Sequence, residues 1–337
     1  MKKNKDNFCC PVCNSRGKMF LGSVKDIHYN IAGQYNILHC ENCSLKFLSN
    51  DVVIPTNFED EFYNRDNYYA YKIIEKKSML DVIRFYWIIR NRGYQFNSIK
   101  IGLTNKIGYY LLLPYIKDFM WWIPYYRTTK RTFIDIGCGS GKMVKFMETL
   151  GFEAWGTDIS VYGSRMGENA GLDKIVTGDF REVNLPESYF DYVYSSHAIE
   201  HISEPNRVFK KIWKILKPGG IGYICVPNAM ALTSKLFGKY WYFLGAPLHV
   251  VNYDSASIKF LLEKHNFNIL KIRAAGDSQG LIGSIQAFLN RNNNKNSQEG
   301  LIWNGLLFKL MAHFLAYFAS PFKIGSHLQV QFRKPLN

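Results

Sequence analysis

The segment Asp135-Ile136-Gly137-Cys138-Gly139-Ser140-Gly141 follows the apolar run Thr132-Phe133-Ile134 and leads into a helical pattern. Glycines at this spacing let a turn take positive φ and let a ligand approach the backbone. The helix start that follows offers N–H groups without intrahelical partners. A dinucleotide site would show G-x-G-x-x-G, with a pyrophosphate on the helix end. Here the spacing is G-x-G-x-G with an aspartate two residues ahead of the first glycine. That carboxylate would repel a pyrophosphate but could hold water or an ammonium, which points to a cationic, unphosphorylated nucleoside. Asp158, in Gly156-Thr157-Asp158-Ile159 at the next strand end, can accept hydrogen bonds from both ribose hydroxyls. In Gly178-Asp179-Phe180, after the third strand, a carboxylate can take an adenine amino proton and a ring can cover the base. One acidic strand end would be an ordinary turn residue; three in order mark a site.

A second set is Cys10-Pro11-Val12-Cys13 and Cys40-Glu41-Asn42-Cys43, two C-x2-C knuckles 26 residues apart. Four thiolates so spaced can surround Zn2+ tetrahedrally, which predicts a structural zinc ribbon. Cys9 could stand in for Cys10, but C-P-x-C is the commoner knuckle. Tyr29-Asn30-Ile31 and Tyr35-Asn36-Ile37-Leu38 alternate and predict a small hairpin between the knuckles. Cys138 and Cys225 stand alone and read as packing residues. Lys2, Lys3 and Lys5 lead into this polar stretch and not into an apolar run, so no secretory signal is read and a cytoplasmic protein is expected.

The third set is histidine. A hydroxyl or acidic carbon that is to be alkylated needs a base near neutral pKa, and imidazole fits without special tuning. His201 follows Glu200 just past the fourth strand. His249 lies past the fifth, near Trp241 and Tyr242, which could stack on a sugar ring. Both are candidate catalytic bases. His197, Glu200 and His201 as a divalent-ion site is the less favoured reading.

These residues need a scaffold. The chain has 337 residues, 47% hydrophobic and 20% charged, enough for a large core. From Thr132 onward, apolar runs alternate with helical patterns, the mark of a βα-repeating parallel sheet. Strands are expected at 132–136, 154–158, 175–178, 191–195, 221–226 and 268–273, with Leu328-Gln329-Val330-Gln331-Phe332 as an edge strand. Helical faces are Met143, Val144, Met147 and Leu150, then Val208, Ile212 and Ile215, then 255–265. Lys217-Pro218-Gly219-Gly220 stops the second of these. Residues 58–126 carry aromatic and charged residues at helical spacing, including Ile73, Ile74, Met79, Leu80, Ile83 and Trp87. Residues 291–299 are Asn-rich and read as a solvated loop. The expected division is a zinc ribbon over 1–52, a helical linker or cap over 53–130, and an α/β domain over 131–337 with a helical insertion at about 278–322.

With these residues in view, the chain resembles the class I S-adenosylmethionine-dependent methyltransferases from about residue 131 to 280 and on toward the end. The resemblance rests on Asp135 through Gly141, Asp158, Gly178-Asp179-Phe180, Phe190-Asp191-Tyr192-Val193-Tyr194, Glu200-His201 and Leu216-Lys217-Pro218-Gly219-Gly220. It implies a Rossmann-like α/β fold whose seven-stranded sheet ends in an antiparallel strand. It also implies methionine contacts near Asp135, Gly137, Gly139 and Gly141, ribose contacts at Asp158 beside Ile159, and adenine contacts at Asp179 and Phe180. A zinc ribbon ahead of such a domain is similar to bacterial sugar and cell-surface polysaccharide methyltransferases. The stretch Tyr240 to Val250, followed by Asn252-Tyr253-Asp254-Ser255, matches their segment after the fifth strand, with Leu248 where that group often has arginine. The function so implied is methyl transfer, preferably to oxygen, on a sugar-nucleotide or glycan acceptor, lipid-linked in one version.

Net charge of +15 suits an anionic partner of some kind. It favours RNA base methylation as a second reading, but no arginine-rich run interleaved with aromatics marks an RNA face. A third reading, an inactive zinc-ribbon interaction protein, is opposed by the intact loop and acidic positions. Ile107–Ile123 and Leu301–Ala319 are apolar, but Pro114, Lys117 and Asp118 interrupt the first, and Lys309 and His313 the second. Both are expected to pack as lids, with peripheral contact at the inner face of the membrane as the alternative.

Overall fold

The βα alternation after Thr132 resolves, in a computed structural model, into one seven-stranded sheet flanked by helices. The structure describes residues 8–49, 79–96, 101–276, 278–293, 295–305, 307–309, 311, 312, 315 and 324–336. Lys2, Lys3, Lys5, Ile73, Ile74 and His313 lie outside them.

The N-terminal part contributes β1 (Lys18–Val24), β2 (Tyr35–His39) and β3 (Lys46–Leu48), then helices α1 (Met79–Arg92) and α2 (Leu103–Met120). The alternating part runs β4 (Thr132–Ile136), α3 (Lys142–Thr149), β5 (Glu153–Asp158), α4 (Val161–Asn169), β6 (Ile175–Thr177), β7 (Phe190–Ser196), α5 (Pro205–Ile215) and β8 (Leu216–Pro227). There follow α6 (Leu232–Phe237), β9 (Val251–Asn252), α7 (Ser255–Lys264), β10 (Asn268–Ala275), α8 (Ser278–Leu289), α9 (Leu301–Asn304) and β11 (His327–Arg333).

The large sheet has the order β10-β11-β8-β7-β4-β5-β6. β4 to β8 are mutually parallel, and β11 is antiparallel to both its neighbours. The order reverses between β4 and β7, the switch point where open α/β sheets take ligands beyond the carboxyl ends of their strands. The predicted helical faces hold: Val144, Met147 and Leu150 of the α3 region, and Val208, Ile212 and Ile215 of α5, are buried.

Three expectations are corrected and a fourth is refined. The segment 328–332 is an inner strand, paired with β8 on one side and β10 on the other. Its alternation suggested a wet face, but Trp121 Nε1 donates to Gln329 Oε1 at 2.6 Å, so this amide is satisfied while buried. The hairpin partner of Tyr35–His39 is Lys18–Val24, not Tyr29–Ile31. The latter is a bend whose N–H groups at His28, Tyr29 and Ile31 all donate to the Asp26 carboxylate. The 291–299 loop is not simply solvated: Ser297 is 1% exposed and bonded to the β1–β2 loop. Finally, α2 packs against the sheet as expected of a lid, but by one face only. Tyr109, Ile116 and Met120 are buried, while Leu103, Ile107, Tyr110 and Leu111 form an exposed stripe at 54–77%.

The cysteine segment is built into the rest. β3 pairs with β9, so a second sheet, β1-β2-β3-β9, includes a strand from beyond β8. Val12, Leu38, Leu45 and Phe47 share one hydrophobic cluster with Val251, Ile258, Leu261 and Leu262. Phe47 is fully buried there, and truncation of such a ring to alanine costs about 3–5 kcal/mol. Among the described residues, no helix is long and apolar enough to cross a membrane.

Candidate functional site

The glycine loop leaves the carboxyl end of β4 and turns at once into α3. Gly137, Gly139 and Gly141 all have positive φ, between 52° and 75°. Gly137 also meets a neighbour: a Cβ there would lie 2.3 Å from the Ala198 Cβ, so glycine is required twice over. The loop is pinned to β5 because Gly137 N and Cys138 N both donate to Thr157 O, at 2.8 and 2.9 Å. Asp158 clamps it further: Oδ2 accepts from Gly139 N at 2.7 Å, and Oδ1 from Ser160 N at 2.9 Å. Asp135, Gly137, Gly139, Gly141, Asp158 and exposed Ile159 thus converge at the switch point. Asp135 is only 4% exposed; desolvation, helped by the Asp158 charge, pushes its pKa well up. Burial also raises Asp158, against its two backbone hydrogen bonds. A pair of carboxylates so desolvated favours a cationic or donor-rich ligand.

The third acidic strand end is arranged otherwise. Asp179 is gripped by Arg181, whose Nε lies 3.0 and 2.9 Å from its two oxygens and whose Nη2 lies 2.5 Å from Oδ2. Phe180 is buried in the main hydrophobic cluster, with Lys211 Nζ 5.4 Å from its ring centre. The ring thus packs at the edge of the core, 5% exposed.

Across the switch point, the turn after β7 brings together histidines. His197 takes φ 55°, a conformation costing about 1–2 kcal/mol for a non-glycine residue. Its N–H donates to Cys225 O, and its Nδ1 lies 3.2 Å from Glu200 Oε1. Glu200 is 1% exposed. Desolvation opposes both charges, but contact with Cys225 and then Glu200 raises His197, and proximity to His197 lowers Glu200. These shifts favour an ion pair between His197 and Glu200, which lie 3.2 Å apart.

His201 and His249 stand edge to face, ring centres 4.7 Å apart. His201 Nδ1 lies 3.1 Å from Leu248 O and His249 Nδ1 2.9 Å from Phe243 O. A carbonyl only accepts, so both Nδ1 atoms carry hydrogen and both Nε2 atoms carry the lone pair. Burial pushes His201 down to about 4 and lowers His249 as well, so both are neutral at physiological pH. One atom each of Glu200, His201 and His249 lies within 4.8 Å of the others. The structure thus brings the two predicted bases into one cluster. Sequence reasoning missed the Glu200–His197 ion pair as a neighbouring charge; the H-x-x-E-H spacing carried that signal.

The cysteines form the third centre. Cys10, Cys13, Cys40 and Cys43 bring their sulfurs within 4.8 Å of one another, with Cys10–Cys43 at 3.5 Å and Cys13–Cys40 at 3.3 Å. Tetrahedral Zn–S bonds of about 2.3 Å would set sulfurs about 3.8 Å apart, so the set fits the ion. The knuckles match in backbone: Asn14 N donates to Cys10 O and Ser44 N to Cys40 O, with Asn14 and Ser44 at φ 62° and 65°. Cys9 instead bridges to Arg16 through the backbone, and Cys10 is the fourth sulfur.

With this geometry in place, relatives sharpen the picture. Residues 111–272 match a family model described as methyltransferase domain. Over that stretch the chain is similar to a methyltransferase domain. A sterol 24-C-methyltransferase of Aspergillus fumigatus is 33% identical over 96 residues, covering 26% of this chain and 26% of that protein. A ubiquinone biosynthesis O-methyltransferase of Caulobacter vibrioides is 29% identical over 119 residues, 32% of this chain and 47% of that one. The chain therefore spans under half the length of these curated relatives. Phosphoethanolamine N-methyltransferase 2 of Haemonchus contortus, solved with S-adenosyl-L-methionine, is similar at 18% identity and TM-score 0.47, over 86% of this chain and 62% of that one.

Proposed function

We propose that this protein transfers the methyl group of S-adenosylmethionine to a hydroxyl of a sugar-nucleotide or glycan-related acceptor. The observation that carries the reading is the loop Asp135–Gly141 locked to Asp158 through Gly139 N at 2.7 Å, within the stretch similar to a methyltransferase domain. Bound there, the cofactor supplies an electrophilic methyl on a sulfonium. Asp135 and the three glycines hold its amino-acid end. Asp158 keeps a lone pair on each oxygen for the ribose, with Ile159 beside it, and the backbone and carboxylate at Asp179–Phe180 border the base. Alignment for in-line displacement then provides much of the rate.

On the acceptor side, we assign the base to His249. Its Nδ1–H is held by Phe243 O, which directs the Nε2 lone pair as the proton acceptor. His201 shares the tautomer, but its Nε2 is shielded from solvent; it packs beside His249 and orders it. The buried Glu200 carboxylate, lowered by His197, favours the imidazolium that forms when His249 takes the proton. Cys10, Cys13, Cys40 and Cys43 hold a structural Zn2+ in this reading. The exposed stripe of Leu103, Ile107, Tyr110 and Leu111, beside Lys106, suits peripheral contact with a membrane bearing a lipid-linked acceptor.

Labelled S-adenosylmethionine offered with nucleotide-sugar and cell-envelope extracts tests the reading. Label is expected in a glycan fraction; label only in RNA sinks it. RNA base methylation draws on the charge of +15, yet Arg207 and Lys214 of α5 are paired with Glu182, Glu204 and Glu187.

A further inference from the structure

The turn that orients His249 is gripped by the cysteine segment from two directions. On one side, Leu48 N donates to Val250 O at 2.9 Å, and Phe47 stands opposite Val251 in the β3–β9 ladder. Lys46, 6% exposed, extends this side by donating from Nζ to Ala229 O at 2.9 Å. On the other side, the β1–β2 loop reaches the Tyr242–Leu244 turn. Tyr35, Ile37 and Leu48 share a hydrophobic cluster with Trp241, Phe243 and Leu244.

Within that cluster lies a polar contact with a defined direction. His28 Nε2 sits 2.7 Å from Tyr242 O, and its ring stands edge-on to the Tyr242 ring at 4.5 Å. Since the carbonyl only accepts, Nε2 carries the hydrogen, and Nδ1 accepts from Ser297 Oγ at 3.0 Å. Ser297 N in turn donates to Ile27 O at 2.7 Å, and Asp26 holds the bend from within. Burial lowers His28 to about 4, so this single tautomer persists across neutral pH. The next carbonyl along, Phe243 O, is the one that accepts from His249 Nδ1. His28 and His249 therefore grip adjacent peptide units of one turn.

We propose that His28 is a positioning residue for His249: by pinning the Tyr242 carbonyl, it fixes the Phe243 carbonyl and with it the imidazole's tautomer and direction. Oriented catalytic groups are held by just such outer hydrogen bonds, and small displacements there cost much of the rate. The proposal rests on the reading of His249 as the acceptor-side base. His249 faces Glu200, His197 and His201, and the cysteine segment adds His28, whose charge and that of His249 oppose each other.

The test uses the full chain labelled with 15N-histidine, comparing wild type with His28→Phe and His28→Gln by NMR titration. Phenylalanine keeps a ring against Tyr242 and removes both hydrogen bonds; glutamine keeps a donor for its carbonyl. In His28→Phe, the His249 Nδ1–H is expected to lose at least tenfold of its exchange protection, and its titration to move up toward the ordinary imidazole range. His28→Gln should recover most of both, and S-adenosylmethionine affinity should stay within about twofold in all three. Ser297→Ala, which removes only the far partner of His28, should move His249 in the same direction by less, and serves if His28→Phe fails to fold. An unchanged His249 tautomer and titration in the folded variants overturns the proposal. Failure of the wild type to bind S-adenosylmethionine would instead overturn the methyltransferase reading.

Discussion

The proposed cofactor side and the proposed acceptor side of this sheet are built in opposite ways. The cofactor side is one contiguous heptapeptide, shaped by its own glycines and closed by a single carboxylate from the next strand, Asp158. The acceptor side gathers His197, Glu200 and His201 from one turn, His249 from another, and steadies them through Phe243, Leu248 and, at a distance, His28. Local geometry of this kind is set by a few consecutive residues. A surface assembled from several segments can change one segment at a time.

Substitutions on the two sides should fail differently. His249→Gln is expected to lower kcat by about 10²–10⁴-fold, the usual range for a positioned base, with cofactor affinity unchanged. Steady-state kinetics with the identified acceptor checks this; a change confined to KM would move His249 from base to binding group. Gly137→Ala should abolish measurable cofactor binding, because its Cβ meets Ala198 and its φ is 74°. It should also cost about 1–3 kcal/mol in denaturant unfolding. Tight cofactor binding by that variant would show that the loop is not the site.

Acid should distinguish the two sides as well. His28 and His201 are lowered to about 4 and His249 is lowered too, so these three imidazoles bind fewer protons in the folded protein than in the unfolded chain below pH 6.5. Their contribution is complete above pH 6.5 and is lost as pH falls toward 4. The acid loss of thermal stability over that window should therefore be smaller in His28→Gln, which lacks one of the three imidazoles, than in wild type. The smallest effect is expected at the rim. Ile107→Asp with Leu111→Asp should change stability by no more than about 0.5 kcal/mol while reducing co-sedimentation with anionic vesicles; unaltered sedimentation would remove the membrane reading.

The sequence disclosed what is written in short spacings. The two C-x2-C knuckles, the G-x-G-x-G loop and the order of strands 132–136 through 221–226 all appear where their patterns placed them, because a few consecutive residues determine each one. What escaped was decided by distant partners. Gln329 makes β11 look half wet until Trp121 is seen to hold it. Ser297 reads as loop until Ile27 and His28 close over it. No pattern near His28 points to Tyr242, 214 residues away.

The most direct measurement is calorimetric titration of S-adenosylmethionine into wild type, Asp158→Ala and His249→Gln. Wild type should bind one equivalent, Asp158→Ala should lose at least tenfold in affinity, about 1.4 kcal/mol, and His249→Gln should match wild type. No binding by the wild type, or equal weakening by both substitutions, would contradict the division of the site into a cofactor side and an acceptor side.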